Sequence, residues 1–326
     1  MRLFSRRLNL LVRRMDAGDI EEVREIGRKA WSDLYSREFQ QTLEVPRRTR
    51  QNIAFYMDKE PDGCLVAESN GRVVGDVFCH IWGKVGWFGP VEVLPTHQNS
   101  GIGKRLIGSA MEFMERRGCS VIGLETMPET VKNVSLYAGL GCVPDRMTYL
   151  LEKGLADRWH ARPPDPDDMA LSRYREVDEA DALAAVSRLS SSVMPGLDYS
   201  AEVMYSMKHG TGDVLFLRKS EEIVGFSLVY TYNTSEGSGN SSIRLMVIDP
   251  AHSGHREMDY LVRLSEETAM EAGRSRMHVR FYTGNYRAFS ALSARGYTIK
   301  GTNVRMLYRG KIPENEAVCH LTSWAG

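Results

Sequence analysis

The sequence predicts an α/β protein built from two domains in tandem. The chain has 326 residues, which is enough for two domains of ordinary size. Near its middle, residues 154–168 contain Pro163, Pro164 and Pro166 among several acidic residues, a composition typical of a linker. Strand-like and helix-like segments alternate on both sides of this linker, and they repeat one another along the chain.

Three pairs of residues define the repeat. Each pair is separated by 155 positions, and the pairs are Pro95 and Pro250, Gly118 and Gly273, and Gly141 and Gly296. A strand-like run precedes each proline, and a helix-like run ends at each glycine, as expected for glycine just past a helix end. We therefore expect a first domain at residues 1–153, a linker at 154–168 and a second domain at 169–326.

The first half contains a strand, two helices, three strands, a helix, a strand, a short helix and a final strand. The strands are predicted at residues 10–14, 65–68, 73–81, 85–93, 121–125 and 144–151, and the helices at about 17–35, 47–57, 102–117 and 133–140. Runs of apolar β-branched residues indicate the strands. Apolar residues at every fourth position from Ile102 to Met114 indicate an amphipathic helix. Asn70-Gly71 predicts a tight hairpin turn.

Composition and charge narrow the classes of function. Lysine plus arginine and aspartate plus glutamate both total 42, and the resulting zero net charge disfavours nucleic acid or a membrane as the main partner. Five widely spaced cysteines without a Cys-x-x-Cys pair predict a reduced, cytoplasmic protein. His252 and His255 have a metal-like spacing but no third ligand, so we expect no metal. The oligomeric state, including a homodimer, is left open.

A glycine-rich turn between an apolar strand and the amphipathic helix is the most informative motif. It consists of Gln98, Asn99, Ser100, Gly101, Ile102 and Gly103. Unpaired N–H groups and the helix dipole favour an anion at such a helix start, and glycine lets a phosphate approach the backbone. No Gly-Lys-Ser/Thr closes the turn as in a P-loop, and the third glycine of the dinucleotide fingerprint is missing. The turn still predicts a phosphate-binding site.

Two runs of residues resemble motifs of the GNAT superfamily of N-acetyltransferases. The turn resembles the family's Gln/Arg-x-x-Gly-x-Gly/Ala segment, and Val93-Leu94-Pro95 resembles the Val-x-Pro before it. Residues 133–142 resemble the second motif, with Asn133, Tyr137 and Gly141 matching and Cys142 in place of an aromatic residue. The order of elements is the GNAT order in both halves. The resemblance implies two GNAT-like domains, each with a mixed, mostly antiparallel central sheet flanked by helices.

The resemblance also implies a site for acetyl-CoA as cosubstrate. The implied coenzyme-binding residues are Val91, Val93, Gln98, Asn99, Ser100, Gly101, Ile102, Gly103, Lys104 and Asn133. The pyrophosphate would lie on the turn, and pantetheine would lie between two splayed strands. The N–H of Val93 would stabilise the thioester oxygen, and Tyr137 would give a proton to the departing thiolate. A helix N-cap for Asn133 and a packing role for Tyr137 are the alternatives.

The base that takes the proton of the amine is not chosen by the sequence. Glu92 and Glu125 both lie at the ends of the strands that would hold pantetheine, and each could equally be a surface carboxylate. An efficient base would need a raised carboxylate pKa.

The second half lacks the residues that match the family motifs. The second half has Ser253, Arg256, Met258 and Leu292 at the positions where the first half has Gln98, Gly101, Gly103 and Tyr137. We therefore predict an acetyl-CoA-dependent N-acetyltransferase that acts in its first half on a primary amine of a small molecule or peptide. The alternatives are transfer of a longer acyl group and a non-catalytic acyl-CoA-binding or regulatory protein. The acceptor itself cannot be read from the sequence.

Overall fold

The helices and strands of the two halves follow one another in the same order. The computed structural model describes residues 10–155, 165–313 and 315–324. The first half contains β1 (Leu10–Arg14), α1 (Ile20–Phe39), α2 (Arg50–Lys59), β2 (Cys64–Ser69), β3 (Arg72–Trp82), β4 (Val85–Val93), α3 (Ile102–Arg116), β5 (Val121–Thr126), α4 (Val131–Ala138) and β6 (Val143–Gly154). The second half contains β7 (Ala170–Arg173), α5 (Glu179–Val193), α6 (Ser200–His209), β8 (Gly212–Lys219), β9 (Glu222–Tyr230), β10 (Asn240–Ile248), α7 (His255–Glu271), β11 (Arg276–Tyr282), α8 (Tyr286–Ala294), β12 (Thr298–Arg309) and β13 (Cys319–Thr322).

The predicted repeat is confirmed at the level of whole elements. The bounds of β10 lie 155 residues after those of β4, and the bounds of β12 lie 155 residues after those of β6. Glycines 118, 141, 273 and 296 all have positive φ, as expected after helix ends. The predicted tandem arrangement of two α/β units is therefore correct.

Three helix boundaries differ from the prediction, and two of them have a local cause. A 3-10 turn at Ala17–Asp19 precedes α1, because the carboxylate of Asp16 accepts from the N–H of Gly18 at 2.8 Å. The helix α2 begins at residue 50, three residues later than predicted, because the hydroxyl of Thr49 accepts from the N–H of Asn52 at 3.2 Å. The helix α4 begins two residues earlier than predicted.

One strand of each half, β6 or β12, is exchanged into the other half. The strand order is β1-β2-β3-β4-β5-β12-β6-β11-β10-β9-β8-β7, so β12 lies between β5 and β6, and β6 lies between β12 and β11. Only the β4–β5 and β10–β11 neighbours are parallel among the described strands. Thr298 pairs with Glu152 and Leu307 pairs with Val143. Because residues 143 and 298 are equivalent, as are 152 and 307, the β6–β12 pair has approximate two-fold symmetry.

A buried ionic cluster joins the two halves in the core. Glu202 of α6 is fully buried and accepts hydrogen bonds from Tyr230 at 2.7 Å and from the indole of Trp82 at 3.0 Å. Its carboxylate also pairs with Lys59 and with Arg244, the latter at 3.2 Å. A buried carboxylate with this many partners is satisfied only while both halves stay in contact.

A helix that crosses a membrane needs about 20 predominantly apolar residues. No helix in the described parts of the chain is long and apolar enough to cross a bilayer.

Candidate active site

The gap between β4 and β5 forms the floor of the site. The two strands pair only from Val85 to Trp87 and then diverge. The N–H of Leu94 donates to Val74 of β3 at 2.9 Å. Because inter-strand bonds alternate along an antiparallel pair, the N–H and C=O groups of Val91 and Val93 face away from β3, into the gap. The edge of β4 thus presents the backbone groups of Val91 and the N–H of Val93, as an added strand or pantetheine would require, while the C=O of Val93 accepts from the side chain of Gln98 at 3.2 Å.

The glycine-rich turn lies at one end of this gap and starts α3. Gly101 has φ of 86° and Asn99 has φ of 61°, so the turn uses the left-handed region twice. No side chain caps α3, which leaves the first N–H groups of the helix available to an anion. A Cβ at position 101 would meet no atom within 4 Å, so the space beside the turn is open. Lys132 donates to the side chain of Gln98 at 3.0 Å and adds positive charge there.

One cavity of about 820 Å³ connects the turn, the gap and the second half of the molecule. Of the predicted site residues, the cavity is lined by Val91, Glu92, Val93, Gln98, Asn99, Gly101, Ile102, Gly103, Lys104, Glu125, Asn133 and Tyr137. Ser100 is not part of the lining; its hydroxyl donates to the carbonyl of His97. Residues of α1, β11 and β12 complete the walls. In the described ranges, no group of three or more His, Cys, Asp or Glu side chains could hold a metal.

Tyr137 reaches the cavity from the face of the sheet that carries α3 and α4. Its ring lies 6.2 Å from the ring of Phe88, edge to face. Within the described residues its hydroxyl has no hydrogen-bond partner. Burial, with a smaller effect of the Cys142 thiol, raises the pKa of Tyr137, so the phenol is protonated at neutral pH. Asn133 is the third residue of α4 and is therefore not its N-cap, which is Thr130.

Glu92 reaches the cavity from the opposite face, beneath α1. Its Oε1 accepts from the indole of Trp31 at 2.6 Å and from Arg48 at 2.9 Å, while its Oε2 has no partner among the described residues. Asp76 of β3 lies directly opposite Glu92 in the strand register and is fully buried. Burial, and secondly the charge of Glu92, raises the pKa of Asp76 well above its ordinary value. The two acids therefore form a pair in which Asp76 holds its proton to a higher pH than an exposed aspartate does.

Glu125 is held in place by the second half of the chain. Its Oε1 accepts from Arg305 of β12 at 2.8 Å, and its Oε2 accepts from the hydroxyl of Thr148 at 3.3 Å. Arg305 is fully buried, with its guanidinium 4.4 Å from the ring centre of Trp324. Glu125 is thus the counter-ion of a buried arginine, rather than a surface carboxylate.

Several residues of the site were not found from the sequence. Asp76 could have been found from the sequence, since it is the one acidic residue of β3, a mostly apolar strand. Arg48 follows a loop without a recognisable motif. No sequence pattern indicates Arg305, because its place beside Glu125 depends on the exchange of β12 into the first half.

The corresponding groove of the second half is filled by the protein itself. The strands β10 and β11 pair only as far as Ile243, and β13 then pairs with Leu245–Ile248 of β10. This segment of β10 is equivalent to residues 90–93, which border the open gap of the first half. At the second turn, Arg256 lies inside α7 and pairs with Asp168 at 2.5 Å. Met258 is buried.

Comparisons with known proteins agree with this architecture. Residues 22–142 match the model of the acetyltransferase (GNAT) family. N-alpha-acetyltransferase 30 of Dictyostelium discoideum is 28% identical over 131 residues, which cover 39% of this chain and 70% of that protein. A crystal structure of a GCN5-related N-acetyltransferase from Sphaerobacter thermophilus superposes with a TM-score of 0.63 at 13% identity, covering 97% of this chain and 98% of that one.

A tandem GNAT protein from the clavulanic acid biosynthesis pathway has the same two-domain arrangement. It superposes with a TM-score of 0.60 at 16% identity, covering 92% of this chain and 98% of that one. At such identities, the likeness to solved structures concerns the fold, and the sequence matches to the first half carry the family assignment. Residues 22–142 thus match the acetyltransferase (GNAT) family, and the whole chain has the fold of a tandem GNAT protein.

Proposed function

We propose that the first half transfers an acetyl group from acetyl-CoA to a primary amine of a small molecule or peptide. The observation that carries this proposal is the single cavity that joins the glycine turn, the free edge of β4 and Tyr137. The phosphates of the coenzyme would accept hydrogen bonds from the N–H groups at the start of α3. Its pantetheine would form hydrogen bonds with backbone groups of Val91 and Val93. The open space beside Gly101 and the positive charge of Lys132 suit that ligand.

The proposed reaction is direct attack of the amine on the thioester. The amine nitrogen bonds to the carbonyl carbon, and the N–H of Val93 stabilises the oxygen as it gains charge. The carbon–sulfur bond then breaks, and Tyr137 donates its proton to the departing thiolate. The proton lost by the amine goes to a carboxylate through water. The products are the amide and free coenzyme A.

We propose Glu92, supported by Asp76, as the carboxylate that accepts the proton of the amine. Glu125 is less suited to this role, because Arg305 and Thr148 bind both of its oxygens. Glu92 also carries an arginine partner, but it lies beside Val93 on the strand that would hold the thioester. Asp76 lies directly opposite Glu92 in the strand register and, while protonated, places no second negative charge beside it.

The second half is proposed to bind no coenzyme. We keep residues 1–153 as the unit that carries the acetyl-CoA site and residues 169–326 as the degenerate unit. Most of the intervening linker, residues 156–164, lies outside the described residues. All five cysteines are buried free thiols, which fits the reducing, cytoplasmic location that we propose.

Calorimetry and a thiol-release assay on the full chain test the proposal together. Titration with acetyl-CoA should give one strong site per chain, since β13 fills the second groove. Free thiol should then appear only when an amine is added, and the acetylated amine should be detected by mass spectrometry.

The same two measurements separate the alternatives. Two equal sites would contradict the assignment of one active half. Binding without release of thiol for any amine would favour a non-catalytic acyl-CoA-binding protein. Faster turnover of a longer acyl-CoA would favour the other acyltransferase.

A further inference from the structure

The wall of the cavity opposite the coenzyme turn belongs to the second half. Lys300, Gly301, Thr302 and Asn303 of β12 and Arg280 of β11 lie there, facing Trp31 and Tyr35 of α1. These residues reach the cavity because β12 and β6 are exchanged between the halves. The degenerate half therefore supplies the surface that an acceptor would meet.

Arg280 differs from the other arginines around the cavity and from Lys300. Arg48 pairs with Glu92, and Arg305 pairs with Glu125. Arg37 pairs with Asp33 at 2.9 Å, and Lys300 lies 3.6 Å from Glu152.

Arg280, by contrast, has no carboxylate within ion-pair distance among the described residues. Its guanidinium donates to the Oδ1 of Asn303 at 2.8 Å, with the Asn303 amide turned to accept it. Its hydrogen-bond partner is neutral, and Glu125, the carboxylate whose charge acts on it, is already paired with Arg305.

The position of Arg280 in the repeat explains why its charge faces the site. Residue 280 is equivalent to Glu125, since the two are 155 positions apart. Glu125 accepts from Thr148 of β6, and Arg280 donates to Asn303 of β12, the equivalent of Thr148. The second half thus has a positively charged side chain at the position where the first half has an acid, and this side chain lines the shared cavity. Burial lowers the pKa of Arg280, which means that water solvates this guanidinium poorly and that an anion beside it would be stabilised.

We propose that Arg280 binds a carboxylate of the acceptor, so that the substrate is an extended molecule with an amine at one end and a carboxylate at the other. This inference rests on the proposed acetyl transfer. A planar guanidinium binds a carboxylate with two parallel hydrogen bonds. A doubly charged phosphate fits less well, because Glu92 and Glu125 line the same cavity and would repel it more strongly.

The strand order sets the distance between the two ends of the acceptor. The amine must reach β4, while Arg280 lies on β11, four positions away in the sheet. Neighbouring strands are ~4.8 Å apart, so the two backbones are separated by roughly 19 Å or more, because β4 and β5 diverge. The guanidinium of Arg280 shortens this distance by reaching Asn303 of β12, which is two positions from β4 in the sheet. An α-amino acid, whose amine and carboxylate share one carbon, is too short to contact both. A long ω-amino acid or a short peptide with a free carboxyl end has the required length.

Matched pairs of amines test this inference. The pairs are 6-aminohexanoate with hexylamine, and triglycine with triglycine amide, with glycine as the short control. We expect kcat/KM for the longer carboxylates to exceed that of their uncharged partners by at least ~10-fold, and glycine to be poor. Preference for 6-aminohexanoate alone would indicate a small molecule, whereas preference for triglycine would indicate a peptide end.

Variants of Arg280 then assign the preference to this residue. Arg280→Met should raise KM at least ~10-fold for the carboxylates, leave KM for the uncharged amines unchanged and preserve acetyl-CoA binding. Arg280→Lys should recover part of the difference. Arg276→Met is the matched control, because Arg276 lies on the same strand but its side chain is 59% exposed and outside the cavity lining.

The possible failures of this test are distinguishable. Equal turnover of both members of each pair, or a preference that survives Arg280→Met, would overturn the inference and leave acetyl transfer intact. Loss of acetyl-CoA binding in both Arg280 variants would show that Arg280 supports the fold rather than the acceptor, and would also overturn it. Coenzyme binding without turnover of any amine would refute the proposed function itself.

Discussion

Tyr137 is the residue whose chemical role can be separated most cleanly from its structural role. Its hydroxyl makes no hydrogen bond with a described residue, so Tyr137→Phe removes no contact that stabilises the fold. We expect kcat to fall by about 10²-fold, as for a lost general acid, with an unchanged dissociation constant for acetyl-CoA. Steady-state kinetics and calorimetry on the same preparation measure both quantities. Unchanged turnover would remove Tyr137 from the mechanism.

Asp76 gives the protein a predictable dependence of stability on pH. The carboxyl has an ordinary pKa of 3.8 when exposed, and burial raises this pKa in the fold. Between the two pKa values the folded state holds a proton that the unfolded chain has released. The contribution of Asp76 to stability is therefore complete below about pH 4 and is lost as the pH rises through the folded pKa.

The substitution Asp76→Asn tests this dependence. An amide is close in size to the protonated acid and can donate to the Oε2 of Glu92, which has no hydrogen-bond partner among the described residues, but it cannot ionise. We expect the variant to melt a few degrees above the wild type at pH 8, with the difference shrinking as the pH falls towards 4. Thermal melts across this range measure the effect. A constant difference at every pH would show that Asp76 is ionised in the fold.

At the scale of elements, two matched glycine substitutions test whether the glycine turn binds the coenzyme. Gly101→Glu should abolish acetyl-CoA binding, because it places bulk and negative charge where the pyrophosphate would lie. Gly237→Glu is the control, since Gly237 also has positive φ, 70° against 86°, and also has open space around it. Calorimetry should find wild-type affinity in the control. Equal loss in both variants would mean that backbone strain, rather than the ligand site, explains the effect.

The elements that the sequence predicted well are those with a strong local signal. Gly101 and Asn70-Gly71 required backbone conformations that few other residues adopt, and the stripe from Ile102 to Met114 matched one helix period. The strand β13 was not predicted, because four residues near the chain end carry no pattern of their own. Its position depends on the groove between β10 and β11, which exists only once the sheet has folded.

At the scale of the whole molecule, the repeat was predictable and the exchange of β6 and β12 was not. Both strands carry the apolar pattern of a buried final strand, and β5 and β11 are equivalent neighbours. The hydrophobic pattern is therefore satisfied whether β6 pairs with β5 or with β11. The acceptor wall could not be foreseen for the same reason, since Arg280 and Arg305 reach the first half only through this exchange.

The exchange predicts that neither half is stable alone. A chain of residues 1–155 would leave β5 and β6 without β12, and would expose the apolar core that both halves share. We expect this fragment to aggregate and to bind no acetyl-CoA. Co-expression with residues 156–326 as a separate chain should restore binding and turnover. A monomeric, fully active fragment would contradict the strand order described above.

The place of β12 also determines when the catalytic half can finish folding during synthesis. The ribosome must add about 155 residues after β6 before β12 exists, which takes on the order of 10–30 s at usual elongation rates. Throughout that interval the edges of β5 and β6 are unpaired in the nascent chain. A stop codon or frameshift after β6 but before β12 would then abolish an activity whose sequence motifs were translated intact.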